Sequence, residues 1–198
     1  DSLVAYWSFD EGSGSYINDM SGNGNAGIIS GASFDSDIPT PFEPTSTAEL
    51  QTAVDLWVSD NDSALTTYGE INAWDVSLIT DMDDLFKDKT TFNDDIGDWD
   101  VSNVTTMISM FESASSFNQD IGSWDVSSAT DIRNMFNDAD AFNQNLSNWN
   151  VSNVTNLTGI FRNNGAFNGD ISTWDVGGIT SMVMCFNNAA AFNQDLTN

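Results

Sequence analysis

The stretch FNQDIGSWDVSSATDIRNMF (residues 117–136) is one copy of a phrase that recurs along the chain at a fixed distance. Its tryptophan returns every 25 residues, at Trp74, Trp99, Trp124, Trp149 and Trp174. A constant period in this range is typical of solenoids, in which each repeat buries its apolar face only against its neighbours. The period therefore predicts a repeat domain with a long regular surface instead of a single deep pocket.

The apolar pattern within one repeat predicts a strand followed by a short helix. The alternation Trp-x-Val, as at Trp99 and Val101, places two side chains on one face of a strand. Farther along, Met107, Met110 and Phe111 have the spacing of an inward-facing helical stripe. The predicted fold class is thus an α/β solenoid, a right-handed coil of short parallel strands and short helices, preceded by a small β-rich N-terminal segment.

Composition divides the chain into three segments. Residues 1–35 are rich in Gly, Ser and Asn and carry strand-like apolar groups. Residues 36–46 contain all three prolines and predict an extended linker. Residues 47–198 hold the repeats and are predicted to form a five-repeat solenoid.

An amphipathic helix over about residues 47–59 is predicted to cover the first repeat. Leu50, Val54 and Trp57 recur at helical spacing. Thr47 has the residue type of an N-cap. Solenoids need terminal caps of this kind, because their first and last coils would otherwise expose apolar edges.

The chain is strongly acidic, with 30 Asp and Glu against 4 Lys and Arg and a net charge of −26. Such a charge repels phosphate backbones and anionic lipid, so nucleic acid is not an expected partner. No apolar run approaches 18 residues, so membrane insertion is not expected either. With 40% hydrophobic residues the chain is no disordered acidic tail, and we interpret the acidity as a solvated surface.

The chain has one cysteine and no histidine, which limits its chemistry. Cys185 falls in a column of apolar residues and is predicted to be a small core residue. A zinc site, a Ser-His-Asp triad and a Cys-His dyad cannot be assembled from this inventory. We therefore expect no enzymatic activity. A hydrolase with paired carboxylates would need an acidic pocket, and no residue pattern singles one out.

An asparagine column is predicted to have a structural role. An asparagine ladder can bond backbone groups that a tight turn leaves unpaired. The column consists of Asn93, Asn118, Asn143, Asn168 and Asn193. Together with the five tryptophans, these residues are the expected framework of the repeats.

The candidate metal site is an acidic column one position after the tryptophans, namely Asp75, Asp100, Asp125 and Asp175. Stacked carboxylates repel one another, and a cation between them relieves the repulsion. Hard oxygen ligands suit Ca²⁺. Solvated carboxylates need no metal, however, so both interpretations stay open. No cofactor is expected to be required, and Ca²⁺ is the one candidate ion.

The repeated phrase resembles the BspA-like leucine-rich-repeat family of bacterial surface proteins. The resemblance covers all five repeats, and TAELQTAVDLWVSD (residues 47–60) looks like the lead-in helix of that family. It implies a leucine-rich-repeat-like coil in a secreted or surface-anchored protein. It also implies adhesion to host or matrix proteins and no common enzymatic activity.

The N-terminal stretch LVAYWSFDEGSGSYINDMSGNGNAGIISGASF (residues 3–34) is similar to the opening of laminin-G-like, concanavalin A-type jelly-roll domains. The resemblance implies binding of glycans or proteins, often with calcium. A whole jelly roll needs many more strands, so its binding site is not carried over. A lone hairpin is marginal in water, and this segment must pack on another surface, pair with another chain or remain loose.

The fifth repeat stops just before the position where a sixth tryptophan is expected. An uncovered coil edge presents unpaired N–H and C=O groups. A continuing chain, the N-terminal segment of the same chain or a neighbouring subunit are the three ways to cover it.

We predict an extracellular or cell-surface structural or adhesive protein that assembles head to tail into filaments, through its N-terminal segment and this edge. Its expected partners are further copies of the chain, or surface proteins and glycans. The alternative is a calcium-dependent module that binds glycans or proteins.

Overall fold

The computed structural model describes residues 16–17, 27–28 and 41–196. The chain divides into two compact units, Asp1–Thr40 and Pro41–Asn198. The linker predicted over residues 36–46 falls on this division, and its first part, residues 36–40, lies outside the described residues.

Two short strands are described in the first unit. They are β1 (Tyr16–Ile17) and β2 (Gly27–Ile28), and they pair antiparallel with Tyr16 opposite Ile28. The rest of the predicted β-rich segment lies outside the described residues.

Two helices open the second unit. Helix α1 spans Thr47–Ser59, the range in which the sequence predicts a capping helix, and α2 spans Asn61–Tyr68. The predicted N-cap of α1 was wrong by one residue, because it is the Ser46 side chain that accepts the Glu49 N–H. Thr47 instead donates its hydroxyl to the Asp81 carbonyl. Among the described residues, no helix is long and apolar enough to cross a membrane.

The repeats themselves contain neither helices nor strands. After a 3₁₀ turn at Ile71–Ala73, residues 74–196 are built from turns and extended single residues. Within this range the parallel pairing is limited to isolated bridges, such as the one between Thr106 and Asp131. The predicted α/β solenoid of parallel strands and short helices is therefore wrong. We call residues 74–196 the repeat stack.

The predicted strand is interrupted because an aspartate follows the tryptophan. The Asp100 carboxylate accepts the N–H of Ser102, which closes a turn two residues long. The Val104 N–H then donates to the Val101 carbonyl and closes the next turn. Trp99 and Val101 are both buried as the alternation requires, but the chain turns before a strand can extend.

The predicted helix is prevented by residues with positive φ. Met107, Met110 and Phe111 are fully buried, yet Ser109 between them has a φ of 55°. A left-handed residue breaks the run of right-handed dihedrals on which a helix depends. The same conformation recurs in two columns, at Asp84, Ser109, Asn134, Gly159 and Met184, and at Asp88, Ser113, Asp138, Asn163 and Asn188.

Backbone hydrogen bonds join each repeat to the next in a constant pattern. The N–H groups of alternate residues donate to carbonyls 24 residues ahead, for example from Asp84 to Ile108 and from Phe86 to Met110. Between these donors, single turns close within the repeat, as where the Lys87 N–H donates to the Asp84 carbonyl. The stack is thus held by backbone pairing between successive turns, without continuous strands.

Two rows of phenylalanine rings form the centre of the core. Within each repeat, two rings pack face to face, with centroids 4.0 Å apart for both Phe111–Phe117 and Phe136–Phe142. Between repeats, the rings continue the stack at 5.7 Å from Phe111 to Phe136. The aromatic rows are therefore continuous across the repeat boundaries, which couples the stability of each repeat to its neighbours.

Replacing Met184 with asparagine is expected to stabilise the stack by about 1 kcal/mol. Met184 has a φ of 56° and an exposed side chain, so the substitution removes little packing. Asparagine tolerates the left-handed region, which costs other residues roughly 1–2 kcal/mol. Urea unfolding measures the gain. Val183→Asn is the matched control, because Val183 is equally exposed and lacks a positive φ. Equal effects of the two substitutions would contradict the argument.

Candidate functional site

The acidic column after the tryptophans forms turns. Each of Asp75, Asp100, Asp125 and Asp175 is exposed, and one carboxylate oxygen accepts the backbone N–H two residues ahead at about 3.0 Å. Asn150 in the fourth repeat makes the same bond to Ser152. The column thus uses an acceptor oxygen that asparagine supplies equally well, and a charge is not required for the turn.

The electrostatics of this column follow from the same bonds. The hydroxyl and backbone N–H of Ser127 hold the pKa of Asp125 below its ordinary value, and Ser77 does so for Asp75. Within the described ranges, no three Asp, Glu or Cys side chains are grouped so that they could hold a metal ion. The calcium column stays a prediction.

Replacing Asp125 with asparagine is expected to remove the contribution of this residue to acid sensitivity while leaving neutral stability within about 0.5 kcal/mol. The folded pKa of Asp125 is lowered, so its stabilising effect is present above 3.8 and is lost as pH falls through the folded value. Thermal unfolding between pH 7 and pH 2 measures the difference between variant and parent. The reciprocal control, Asn150→Asp, should gain acid sensitivity. Parallel pH curves for all three chains would contradict this account.

Asp83 is the carboxylate whose surroundings differ from the columns. Its Oδ1 accepts both the Thr106 hydroxyl and the Ile108 N–H, at 2.6 Å each. Burial raises its pKa, and the hydrogen bonds from Thr106 and Ile108 oppose that rise. Both partners belong to the next repeat, so Asp83 joins two repeats. This role accounts for its perturbed pKa without a substrate.

The predicted asparagine column forms a continuous ladder. The side-chain oxygen of each asparagine accepts the backbone N–H of the asparagine one repeat ahead, as Asn118 does from Asn143. Such bonds are made by Asn93, Asn118, Asn143 and Asn168, at 2.7–2.9 Å. The structural role predicted for these asparagines is thus the bonding of backbone N–H groups in the next repeat.

A threonine ladder also joins successive repeats. The hydroxyls of Thr105, Thr130 and Thr180 donate to the carbonyl of the threonine one repeat earlier. Their spacing of 25 residues is the signal that predicts a contact between repeats.

The five tryptophans are buried and bonded in register. From the second repeat onward, each indole N–H donates to a carbonyl 28 residues earlier, for example from Trp124 to Ile96. The acceptors for Trp99, Trp149 and Trp174 are Ile71, Ile121 and Leu146. Each tryptophan therefore fills a place that is completed by the preceding repeat.

The first repeat is covered by aromatic side chains from the preceding segment. Phe42, Trp57 and Tyr68 surround the Trp74 ring edge-on, with centroids 5.3, 5.8 and 5.9 Å away. The Trp74 indole N–H donates to the Gly69 carbonyl. Because these groups replace a preceding repeat, this end of the stack is closed.

The fifth repeat carries a cavity instead. A cavity of about 440 Å³ opens there, and we call the surface around it the C-terminal face. Seven large apolar residues line the cavity, namely Leu157, Ile171, Trp174, Val176, Met182, Phe186 and Leu196. Val176 is 44% exposed, whereas its equivalents one to four repeats earlier are at most 1% exposed. The face thus exposes positions that every earlier repeat buries.

The C-terminal face also presents backbone donors. The positions that donate to the next repeat elsewhere in the stack are here Met182, Met184, Phe186 and Asn188. Among the described residues, their N–H groups have no hydrogen-bond partner. An apolar cavity beside a row of unpaired donors is suited to bind an extended polypeptide segment.

Cys185 is a buried core residue, as predicted. The side chain is buried, and burial raises the pKa of the thiol to about 12. The thiolate, which is the reactive form, is therefore scarce at neutral pH.

Sequence reasoning predicted the open edge but missed the cavity. The expected position of a sixth tryptophan was a visible signal, whereas the cavity depends on how the turns of the fifth repeat place Met182 and Phe186. The N–H groups that donate to the next repeat at alternate positions depend on the residues with positive φ. Their signal was a column of Asp, Ser, Asn and Gly within an otherwise apolar stretch.

Comparison with known proteins places the repeats in a described family. The family model for a Mycoplasma protein of unknown function, DUF285, matches residues 58–164 and again residues 145–198. Together these matches span well over half of the chain. No curated protein and no solved structure matches the chain. The chain therefore belongs to the DUF285 family of Mycoplasma proteins of unknown function.

Proposed function

We propose that this chain is a non-enzymatic structural or adhesive protein of the cell exterior. In this proposal, copies assemble head to tail through the N-terminal segment, residues 1–35, and the C-terminal face. The observation that carries the proposal is the difference between the two ends of the repeat stack, one closed by aromatic side chains and one apolar with unpaired donors.

The closed end prevents a simple stacking of one repeat domain on another. Helix α1 buries Leu50, Ala53, Val54 and Trp57, and the Trp57 ring packs edge-on against Trp74. A second copy therefore cannot offer its first repeat to the C-terminal face without displacing this helix. The contact must instead use a segment outside the stack, which makes it heterologous.

The chemistry of the C-terminal face suits such a segment. Backbone donors at alternate residues pair with an added extended chain, and the apolar cavity beside them selects among side chains. A heterologous contact that does not close into a ring produces an open filament. A filament with regular outer rows of Asp, Asn and Ser fits a structural or adhesive role at the cell surface. The resemblance to the BspA-like family implies the same role.

The net charge sets a condition on assembly. Copies that each carry a charge of −26 repel one another at low ionic strength. Because salt screens exposed charges beyond about 8–10 Å, assembly should strengthen as salt is added. An adhesive contact built on opposite charges would weaken with salt instead.

Sedimentation velocity with electron microscopy tests the proposal. The wild-type chain should form larger species as its concentration and the salt concentration rise, and Val176→Asp should remain monomeric. Leu78→Asp is the matched control, because Leu78 is an exposed apolar residue of the first repeat outside the cavity. A chain that stays monomeric at high concentration and high salt would overturn the proposal, as would equal assembly of Val176→Asp and the wild type.

A further inference from the structure

We infer that a cleft between the two helices and the first repeat binds a basic side chain, lysine or arginine, of a partner protein. We call it the cap cleft, and its polar lining consists of Asn61, Glu70, Thr91 and Asp94. This contact is separate from the proposed head-to-tail contact, because it uses no residue of the C-terminal face.

The cap cleft is a cavity of about 290 Å³. Trp57 near the end of α1 and Asn61 at the start of α2 contribute to its walls. Thr91, Phe92 and Asp94 of the first repeat contribute the rest, together with Glu70. Ligand cavities have volumes of about 300 to 1,000 Å³. The cleft lies at the lower end of that range, which suits one long side chain.

Glu70 lacks the structural bond that its equivalents in later repeats make. At this position of the repeat, a side-chain oxygen accepts the backbone N–H two residues ahead at 2.8–2.9 Å, as in Asp95, Asp120, Asn145 and Asp170. Glu70 precedes the 3₁₀ turn and makes no side-chain bond to it. Its carboxylate has no partner among the described residues and is available in the cleft.

Asp94 also departs from the pattern of its column. Gln119, Gln144 and Gln194 stand at the same position of later repeats and donate their amides to a backbone carbonyl 26 residues earlier. Asp94 has no such proton, and its Oδ2 instead accepts the Trp57 indole N–H at 2.9 Å. This bond holds the carboxylate at the cleft and leaves Oδ1 as an acceptor.

The polar groups of the cleft select a cation. Two carboxylates, the Thr91 hydroxyl and the Asn61 amide oxygen can all accept N–H groups of an ammonium or guanidinium ion. Among the described residues, no three Asp, Glu or Cys side chains are grouped to hold a metal ion. An organic cation therefore fits the cleft better than a metal ion does.

The aromatic residues of the cleft do not favour a sugar as the ligand. Trp57 and Phe92 line the cavity, but they are only 5% and 2% exposed. Their ring faces are therefore not open for a sugar to stack on, and the accessible surface of the cleft is polar.

The cation comes from a different protein. All four lysines and arginines of the chain lie within the described ranges, and none lines the cleft. Lys87, Lys89 and Arg133 pair with carboxylates elsewhere, and Arg162 is in the fourth repeat. A second copy would bring its own charge of −26, whereas a basic partner is attracted to the chain.

Nuclear magnetic resonance of the full chain with ¹⁵N-labelled indoles tests the site. The probes are the amides of Nα-acetyl-lysine and Nα-acetyl-arginine, and the amide of Nα-acetyl-norleucine is the uncharged control. We expect a saturable shift of the Trp57 indole signal with a cationic probe and none with norleucine, because Trp57 bonds to Asp94. Binding should weaken as salt is added, since salt screens exposed charges.

Glu70→Gln should weaken the binding of the cationic probe by about threefold or more. Asp140→Asn is the matched control, because it removes the same charge from an exposed position of the third repeat outside the cleft. Its effect should stay below about 1.5-fold. Since Glu70 makes no bond to the fold, its variant should keep the other indole signals unchanged, which shows that the chain is folded.

Three results would overturn the inference: equal shifts with norleucine and the cationic probes, equal affinities of Glu70→Gln and Asp140→Asn, or a Trp57 shift produced by Ca²⁺ and by neither cation. Val176→Asp leaves every cleft residue in place, so the cationic probe should bind it as it binds the wild type. Absence of probe binding in a chain that still assembles as salt rises would overturn the inference and leave the proposed function standing. Probe binding by a chain that never assembles would do the reverse.

Discussion

Replacing Phe136 with alanine is expected to lower the free energy of unfolding by about 3–5 kcal/mol. The ring is fully buried and lies in the middle of the stack. It packs face to face with Phe111, Phe142 and Phe161, at 5.7, 4.0 and 5.7 Å. Removing it leaves a cavity that the rings on either side cannot fill, since turns and ladders fix their positions. Urea unfolding followed by circular dichroism measures the change.

The matched control for this prediction is Phe192→Ala. Phe192 occupies the second row in the fifth repeat, is partly buried and packs on two rings, Phe167 and Phe186. Its removal should cost about 1–2 kcal/mol, since less apolar area is lost. Equal costs at the two sites would mean that the continuous rows do not couple the repeats.

Replacing Asn164 with aspartate is expected to cost about 2–4 kcal/mol at pH 7. Asn164 is fully buried, and its amide donates to the Phe142 carbonyl at 3.1 Å. Its oxygen accepts the N–H groups of Ala166 and Phe167. Aspartate keeps the acceptor but loses the donor and buries a charge against the Phe142 carbonyl.

The pH dependence of this variant has a definite sign. Burial raises the pKa of a carboxyl, so the penalty should shrink as pH falls and the acid form becomes populated. Asn150→Asp adds the same charge at an exposed position where other repeats have aspartate, and it should cost less than about 0.5 kcal/mol at pH 7. A cost at Asn164 no greater than that at Asn150, or one that does not change with pH, would contradict the role of the amide donor.

The apolar period predicts which residues face the core. Columns such as Val101, Met107 and Phe111 are buried wherever another repeat follows. The 25-residue period predicts burial because burial depends on contact between equivalent positions of neighbouring repeats. The conformation of the backbone between those positions does not matter for this prediction.

The local backbone could not be predicted by the same means. The spacing of Met107, Met110 and Phe111 fits a helical stripe, but a chain of turns places the same three side chains inward. The distinguishing signal is polar, namely that Asp125 and Asn150 exchange within one column and that Asn134 and Gly159 exchange within another. Both exchanges point to turns, and the apolar pattern obscures them.

The candidate site was likewise predictable in part. The acidic column was visible as a set of charges, but the bond from Ser127 to Asp125 shows that an acceptor oxygen is what the fold uses. The C-terminal face could not be predicted from the sequence, because its donors at Met182 and Phe186 form a row only through the alternating turns.

The constant bond pattern between repeats has a consequence for how such a gene can change. A deletion or duplication of 25 codons, begun anywhere within the stack, joins positions that are chemically equivalent. Every asparagine, threonine and indole bond would find its usual partner at the new junction, as Asn118 finds Asn143 now. Unequal recombination could therefore lengthen or shorten the stack in whole repeats.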